Sequence, residues 1–232
     1  MGLDELAGFY DSYERDVLNE FYIPFFKSAK LVYRVSCYFS AGALASYSKG
    51  LEEFARSRGT AYKLIVSEDI DQELFDAIKR GEQTLESLDP LLLGRLREDI
   101  SFEQRDALEL LVDLVSAGVV EIKIALVRRG LFHYKLAYAE GWEGERMVMI
   151  GSNNETAASI EQNYECFEFM PYNDSSNHKD NFEAMWNDLK PGMIVKSPSE
   201  MVWTELKGFS RKGHVVLEEK NRTTDCLFLD LE

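Results

Sequence analysis

Two β-branched, aromatic runs separated by one helix-length stretch do most to fix what this chain folds into. Leu31 to Phe39 (LVYRVSCYF) and Ala61 to Ser67 (AYKLIVS) have the composition of strands. Between them Leu44, Tyr47, Leu51 and Phe54 recur at helical spacing, in a helix expected over Ala41 to Arg58 that ends at Gly59. Strand, helix, strand with few linking residues is the pattern of a parallel crossover, with helices laid against a sheet. In the first run Val32, Arg34 and Ser36 alternate against Tyr33, Val35 and Cys37, and Ser40 stands where the next helix needs an N-cap. A helix over Asp16 to Ala29 precedes, bent at Pro24 because proline lacks the amide donor and crowds the preceding turn.

The remainder extends this pattern. Ile70, Leu74 and Ile78 before Gly81 predict another helix, and Glu82 to Asp99 is less periodic, with Asp89-Pro90 as a turn. Ser101 and Gln104 form a capping box that opens a helix to Ser116, closed by Ala117-Gly118. The period then switches to two, with strands expected over Val119 to Leu126, Phe132 to Ala139, Met147 to Ser152 and Tyr164 to Met170. The middle pair reads as a hairpin across Glu140 to Glu145, and a helix over Asp180 to Leu189 ends at Pro191-Gly192. After that the pattern thins to a short helix at Met201 to Leu206 and an edge strand at Gly213 to Glu218. The class is α/β; residues 1–190 form the domain, and 191–232 are a C-terminal extension, part of that domain or the start of a further region.

Apolar residues are 45% and aromatic residues 12% of the 232, which excludes disordered, collagen-like and coiled-coil chains. Lys plus Arg number 26 against 41 Asp plus Glu, a net charge of −15, which counts against non-specific coating of nucleic acid, since that binding draws on displaced counterions. A local basic patch remains open from Arg128-Arg129 and from Lys27, Lys30, Arg34, Arg56, Arg58 and Lys63. Cys37, Cys166 and Cys226 are scattered and read as reduced core thiols. An acidic N-terminus and the lack of an apolar run near 18 residues predict a cytoplasmic protein without a membrane span.

Three histidines are present, and His178 and His214 sit in polar loops. His133 stands in Phe132-His133-Tyr134-Lys135-Leu136, where a period of two puts His133 and Lys135 on one side and their apolar neighbours on the other. An imidazole and an ammonium side by side call for an anion. The next apolar run ends in Gly151-Ser152-Asn153-Asn154, a hydroxyl, a carboxamide and free backbone amides at a strand end, all donors suited to an oxyanion.

His133-x-Lys135, then Gly151-Ser152-x-Asn154, then Asn163-x-Glu165 resembles the HKD motif of the phospholipase D superfamily, and more narrowly its nuclease and restriction-enzyme branch. The N-terminal order of elements agrees, and the likeness runs from Phe21 to Trp186. It implies a mixed sheet flanked by helices on both faces. It implies further that His133, Lys135, Asn154 and Glu165 are catalytic, that Gly151, Ser152 and Glu140 support the phosphate, and that neither metal nor cofactor is needed. One departure is that Glu140 occupies the place of the family's aspartate, five residues after the lysine.

In the mechanism this likeness implies, one histidine attacks phosphorus, a second protonates the leaving oxygen, and water releases the product. The chain carries one copy of the motif, so the second histidine is expected from a homodimer. The reading is a nuclease acting on nucleic acid, DNA in preference to RNA. The alternatives are an inactive DNA-binding or dimerisation module of a helicase or nuclease system, and a lipid phosphodiesterase.

Overall fold

β2 (Ala29–Ser36) organises the sheet because it has a parallel neighbour on one side and an antiparallel one on the other. β3 (Ala61–Ser67) runs parallel to β2 and β4 (Val120–Val127) parallel to β3, while β5 (Leu136–Gly141) is antiparallel to β2. β6 (Arg146–Gly151) and β7 (Cys166–Pro171) continue that side, β1 (Gly8–Asp11) closes it, and β8 (Met193–Lys196) closes the other. Among the described residues the order is β1-β7-β6-β5-β2-β3-β4-β8. The mixed α/β sheet expected from the sequence is the one observed. This computed structural model describes residues 1–57, 59–67, 72–81, 89–97 and 105–209. Ile70, the capping box at Ser101 and Gln104, the edge strand at Gly213 to Glu218, Arg58, His214 and Cys226 lie outside them.

Alternation along each strand sorts the two faces. Val32, Leu64, Ile122, Ala137, Met149 and Phe169 point into the larger core, which α1 (Ile23–Ser28), α2 (Ala41–Ser46), α3 (Ser48–Arg56), α6 (Arg105–Ser116) and α9 (Glu200–Phe209) cover. Val35, Ile65, Ala125 and Val195 point the other way, against Phe182, Met185 and Trp186 of α8 (His178–Trp186). Phe21 anchors the larger core, with ring centroids 4.7–5.5 Å from Tyr10, Tyr22, Phe25, Phe167 and Phe169. Helices therefore flank the sheet on both faces. Among the described residues no helix is long and apolar enough to cross a membrane.

Several elements depart from their expected form. The first helix is a π-helical turn, Leu18–Tyr22, that gives way to α1 where Pro24 enters. The turn runs on without a break, the Ile23 amide donating to the Leu18 carbonyl, and Pro24, which has no amide to donate, stands at the change from one helix type to the other. The helix expected over Ala41 to Arg58 breaks at Tyr47 (φ −105°, ψ 24°) into α2 and α3. Ser40 takes the N-cap position of α2, but its hydroxyl accepts from the Ala157 amide, at the start of α7 (Ala157–Glu161). α5 (Asp89–Arg97) lies in a stretch whose periodicity gave no helix. Cys37 is buried as expected, whereas Cys166 is exposed, so the core-thiol reading fails there.

Residues 193–209 stay with the domain: β8 extends the sheet, and Val202 and Leu206 of α9 enter the larger core. Ser199 donates to Asp89 of α5, and Lys207 pairs with Asp113 of α6 at 3.4 Å.

Glu140 is the residue whose expected place changes most. It lies at the far end of β5, roughly 16 Å along the strand from Lys135 at about 3.3 Å per residue, and on the opposite face. Five residues is an odd step, so a group at that spacing cannot share the face of His133 and Lys135. Glu140 instead accepts from the Tyr138 hydroxyl at 2.7 Å and the Lys179 ammonium at 3.0 Å, fastening α8 to β5. Partial burial works against its charge, but these two donors prevail and hold its carboxyl below the usual range. A folded-state pKa below the unfolded one contributes stability that is full above about pH 4.3 and lost as pH falls through the folded value. Glu140→Gln should therefore flatten the acid limb of stability below about pH 5, by up to about 1 kcal/mol for a partly exposed pair. Urea midpoints taken from pH 6 to pH 3 measure this; parallel curves for variant and parent would show that the pair contributes nothing.

Candidate phosphate site at the strand ends

The C-terminal ends of β2 and β3 and the start of β5 meet at one edge of the sheet, the place where a switch from parallel to antiparallel neighbours leaves a crevice. A cavity of about 460 Å³ opens there, lined by His133, Tyr134, Lys135, Gly151, Ser152, Asn154 and Glu165. Each sequence-predicted site residue except Glu140 is among them.

His133 and Lys135 are not on a paired strand, because β5 begins at Leu136 and the approach to it turns at residues 131–133, where the His133 amide donates to the Leu131 carbonyl at 2.9 Å. The alternation survives: Phe132 is buried in the smaller core and its ring lies 6.1 Å from Tyr134, while Lys135 Nζ reaches His133 Nε2 at 2.9 Å. His133 is exposed and Lys135 half-buried. Among the described residues Nδ1 of His133 has no hydrogen-bond partner.

Across the cavity the donors are set by the turn after β6. Gly151 is required by packing, since any Cβ there would run into the Phe167 side chain and the Cys166 carbonyl of β7. Ser152 then donates its hydroxyl to Glu165 Oε2 and takes its amide to the Cys166 carbonyl at 3.0 Å. Asn154 donates its backbone amide to Ser159 Oγ at 2.8 Å, and Ser159 in turn donates to Glu165 Oε1 at 3.3 Å. Asn163 Nδ2 reaches the same oxygen at 3.4 Å, so both oxygens of Glu165 are occupied by neutral donors. Thr156 caps α7 by accepting from the Ser159 amide, which fixes Ser159 in turn.

Beneath the turn lies a buried ion pair. Arg34 Nε donates to Glu155 Oε1 at 2.6 Å, with side chains 3% and 2% exposed, and Arg34 Nη2 donates to the Asn153 carbonyl at 2.8 Å. The other Glu155 oxygen accepts from the Tyr47 hydroxyl at 2.6 Å, and the Glu155 amide donates to Ser36 Oγ at 2.8 Å. Burial, reinforced by the Glu155 charge, drives the Tyr47 and Tyr62 phenols well above their ordinary pKa, so both remain hydrogen-bond donors. Burial opposes the Arg34 charge, but Glu155 outweighs it and the guanidinium is held more firmly protonated.

Arg34 is therefore not part of a basic surface. Arg56 pairs with Glu52 and Glu53, Arg128 with Asp76, and Lys63 approaches Glu121 at 4.0 Å beside the Trp186 ring. Of the described residues named for a local patch, Arg34 is buried and Arg56, Arg128 and Lys63 each face an acid. The sequence did hold a signal for the pair, since an arginine between inward-facing Val32 and Ser36 needs a buried acid. Ser159 had a weaker signal in the Thr156 cap. Cys37, whose sulfur lies 3.1 Å from Lys135 Nζ, had none.

An imidazole, an ammonium, a carboxamide and a hydroxyl line one cavity at the end of the strands of this α/β domain, a set of donors suited to an oxyanion. Residues 22–186 match the family described as "Cardiolipin synthase, PLD-like domain". The chain belongs to that phospholipase D-like family, and the extent of the match agrees with the likeness seen in the motifs. Among solved structures it is similar to the phospholipase D family member Nuc from Salmonella typhimurium, at 14% identity and a TM-score of 0.47, covering 82% of this chain and 97% of that one. NucT from Helicobacter pylori is similar at 16% identity and a TM-score of 0.44, covering 82% and 98%. Phosphatidylserine synthase of Haemophilus influenzae Rd KW20 is similar at 16% and 0.46, covering 82% of this chain and 38% of that one. No curated protein sequence is a significant match.

The ion pair beneath the site should dominate local stability. Glu155→Ala leaves a guanidinium buried without its partner and should cost about 3–5 kcal/mol. Arg34→Met combined with Glu155→Leu removes both charges and should recover most of that loss. Urea unfolding measures both; equal losses in the single and double variants would assign the cost to packing alone.

Proposed function

We propose that this domain is a metal-independent phosphodiesterase acting on nucleic acid, DNA in preference to RNA, as a cytoplasmic nuclease module of restriction or defence type. The observation that carries the reading is the 2.9 Å approach of Lys135 Nζ to His133 Nε2 at the cavity mouth. An ammonium offers donors and no acceptor, so Nε2 presents its lone pair and the ring proton sits on Nδ1. That is a neutral imidazole with its nucleophilic nitrogen already beside a cation, where a phosphodiester anion would be drawn in.

In the proposed reaction the Lys135 hydrogen bond to Nε2 passes to a non-bridging phosphoryl oxygen, and the freed Nε2 lone pair forms a bond to phosphorus as the bond from phosphorus to the leaving oxygen breaks. Lys135 and Asn154 hold the non-bridging oxygens. The departing oxygen takes a proton from a second ring, the His133 of a twofold-related copy in its imidazolium form, and the neutral imidazole so produced then accepts a proton from the water that cleaves the phosphorus–nitrogen bond. Each chain brings one such histidine, which is why the reading includes a homodimer with one shared cleft. Glu165, held by Ser152, Ser159 and Asn163, faces the cavity as its carboxylate wall.

His133→Ala should reduce turnover of bis(p-nitrophenyl) phosphate and of a labelled oligodeoxynucleotide to below about 1% of the parent, with an unchanged circular dichroism spectrum. Residual activity above a few per cent would remove His133 as the nucleophile. Activity should persist in 5–10 mM EDTA (roughly the range that strips loosely held metal), because imidazole and ammonium supply the charge neutralisation that a cation supplies elsewhere. Loss on chelation with recovery on added magnesium, or turnover of phospholipid vesicles and not of DNA, would overturn the corresponding part of the reading.

A further inference from the structure

The mechanism above leaves Cys37 unused, yet this buried thiol touches both groups assigned to the phosphate oxygens. Lys135 Nζ lies 3.1 Å from its sulfur, and the sulfur lies 2.9 Å from Asn154 Oδ1. Cys37 follows directly on β2, and its carbonyl accepts from the Ser67 hydroxyl at the end of β3 at 2.7 Å, so its position is fixed from two strands. We propose that Cys37 is a positioning residue that sets Lys135 and Asn154 against each other for phosphate binding, an inference that rests on the phosphodiesterase reading.

The donor and acceptor roles along this chain of contacts are forced. An ammonium cannot accept, so the sulfur accepts from Lys135; the carboxamide oxygen cannot donate, so the thiol proton goes to Asn154. Two consequences follow. Asn154 turns its oxygen inward and leaves both Nδ2 protons free for the cavity. Lys135 spends one proton on Cys37 and one on His133, keeping a third for a phosphoryl oxygen. A group that both donates and accepts is needed at position 37, and an apolar one of the same bulk would leave Lys135 and Asn154 free to rotate.

The test compares Cys37→Val, which keeps volume and removes both contacts, with Cys37→Ser, which keeps a donor and an acceptor. kcat/KM for bis(p-nitrophenyl) phosphate should fall about tenfold or more in the valine variant, the scale on which an outer contact acts on a functional group. The dissociation constant for inorganic phosphate should rise in parallel. The serine variant should stay within about threefold of the parent on both measures, and thermal midpoints of parent and variants should agree within a few degrees. Parent-like kcat/KM and phosphate affinity in Cys37→Val, or a serine variant as impaired as the valine one, would overturn the proposal. If the parent turns over no phosphodiester, the functional reading fails and the phosphate arm alone decides the role of Cys37; a parent that does not bind phosphate overturns both.

Discussion

The buried pair of Arg34 and Glu155 is the contact on which the site geometry rests. It joins the centre of β2 to the residue next to Asn154, so the turn that carries Ser152 and Asn154 is tied to the strand whose end carries Cys37. Two charges withdrawn from water repay their desolvation only with close geometry and further hydrogen bonds. Here Asn153, Tyr47 and Ser36 supply those bonds, and Ser40 ties the Glu155 carbonyl through its own amide at 2.8 Å. The break between α2 and α3 fits the same arrangement, because Tyr47 at that break stacks on Tyr22 and Phe26 while its hydroxyl reaches Glu155.

What could be read from the sequence was whatever depends on period and on short spacing. The parallel β2–β3 pair, the inward and outward sides of each strand, the hairpin of β5 and β6, and the gathering of His133, Lys135, Ser152, Asn154 and Glu165 follow from local pattern or from the motif resemblance. What could not be read depends on contacts between distant segments. β8 is four residues long and gains its identity from pairing with β4. The alternation of β2 turns Arg34 inward, but its partner Glu155 stands 121 residues on, where no local pattern names it. Cys37 meets Lys135 across 98 residues, which no periodicity announces.

β5 also carries two separate functions on its two faces and ends. Its entry delivers Lys135 and His133 to the cavity, and its exit delivers Glu140 to Lys179 on α8. The odd spacing between lysine and acid makes this division unavoidable, and a glutamate serves there because the partner is a long, flexible lysine. The acid is thus a fastening for the helix that covers the smaller core, and the cavity is shaped without it.

The strand order has a consequence for the timing of synthesis. β2, β3 and β4 emerge first and can pair, but the strand that lies against the open side of β2 is β5, and the first strand of the chain waits for β7. The hairpins that place His133 beside Asn154 and Glu165 are local, but the pairing of β5 with β2, which sets them against Cys37 and Arg34, joins segments far apart in the chain, and long-range pairing of this kind comes late in folding. A chain synthesised only as far as Val127 lacks every residue that lines the cavity, so the cavity takes shape only once β5, β6 and β7 have joined the sheet on the open side of β2.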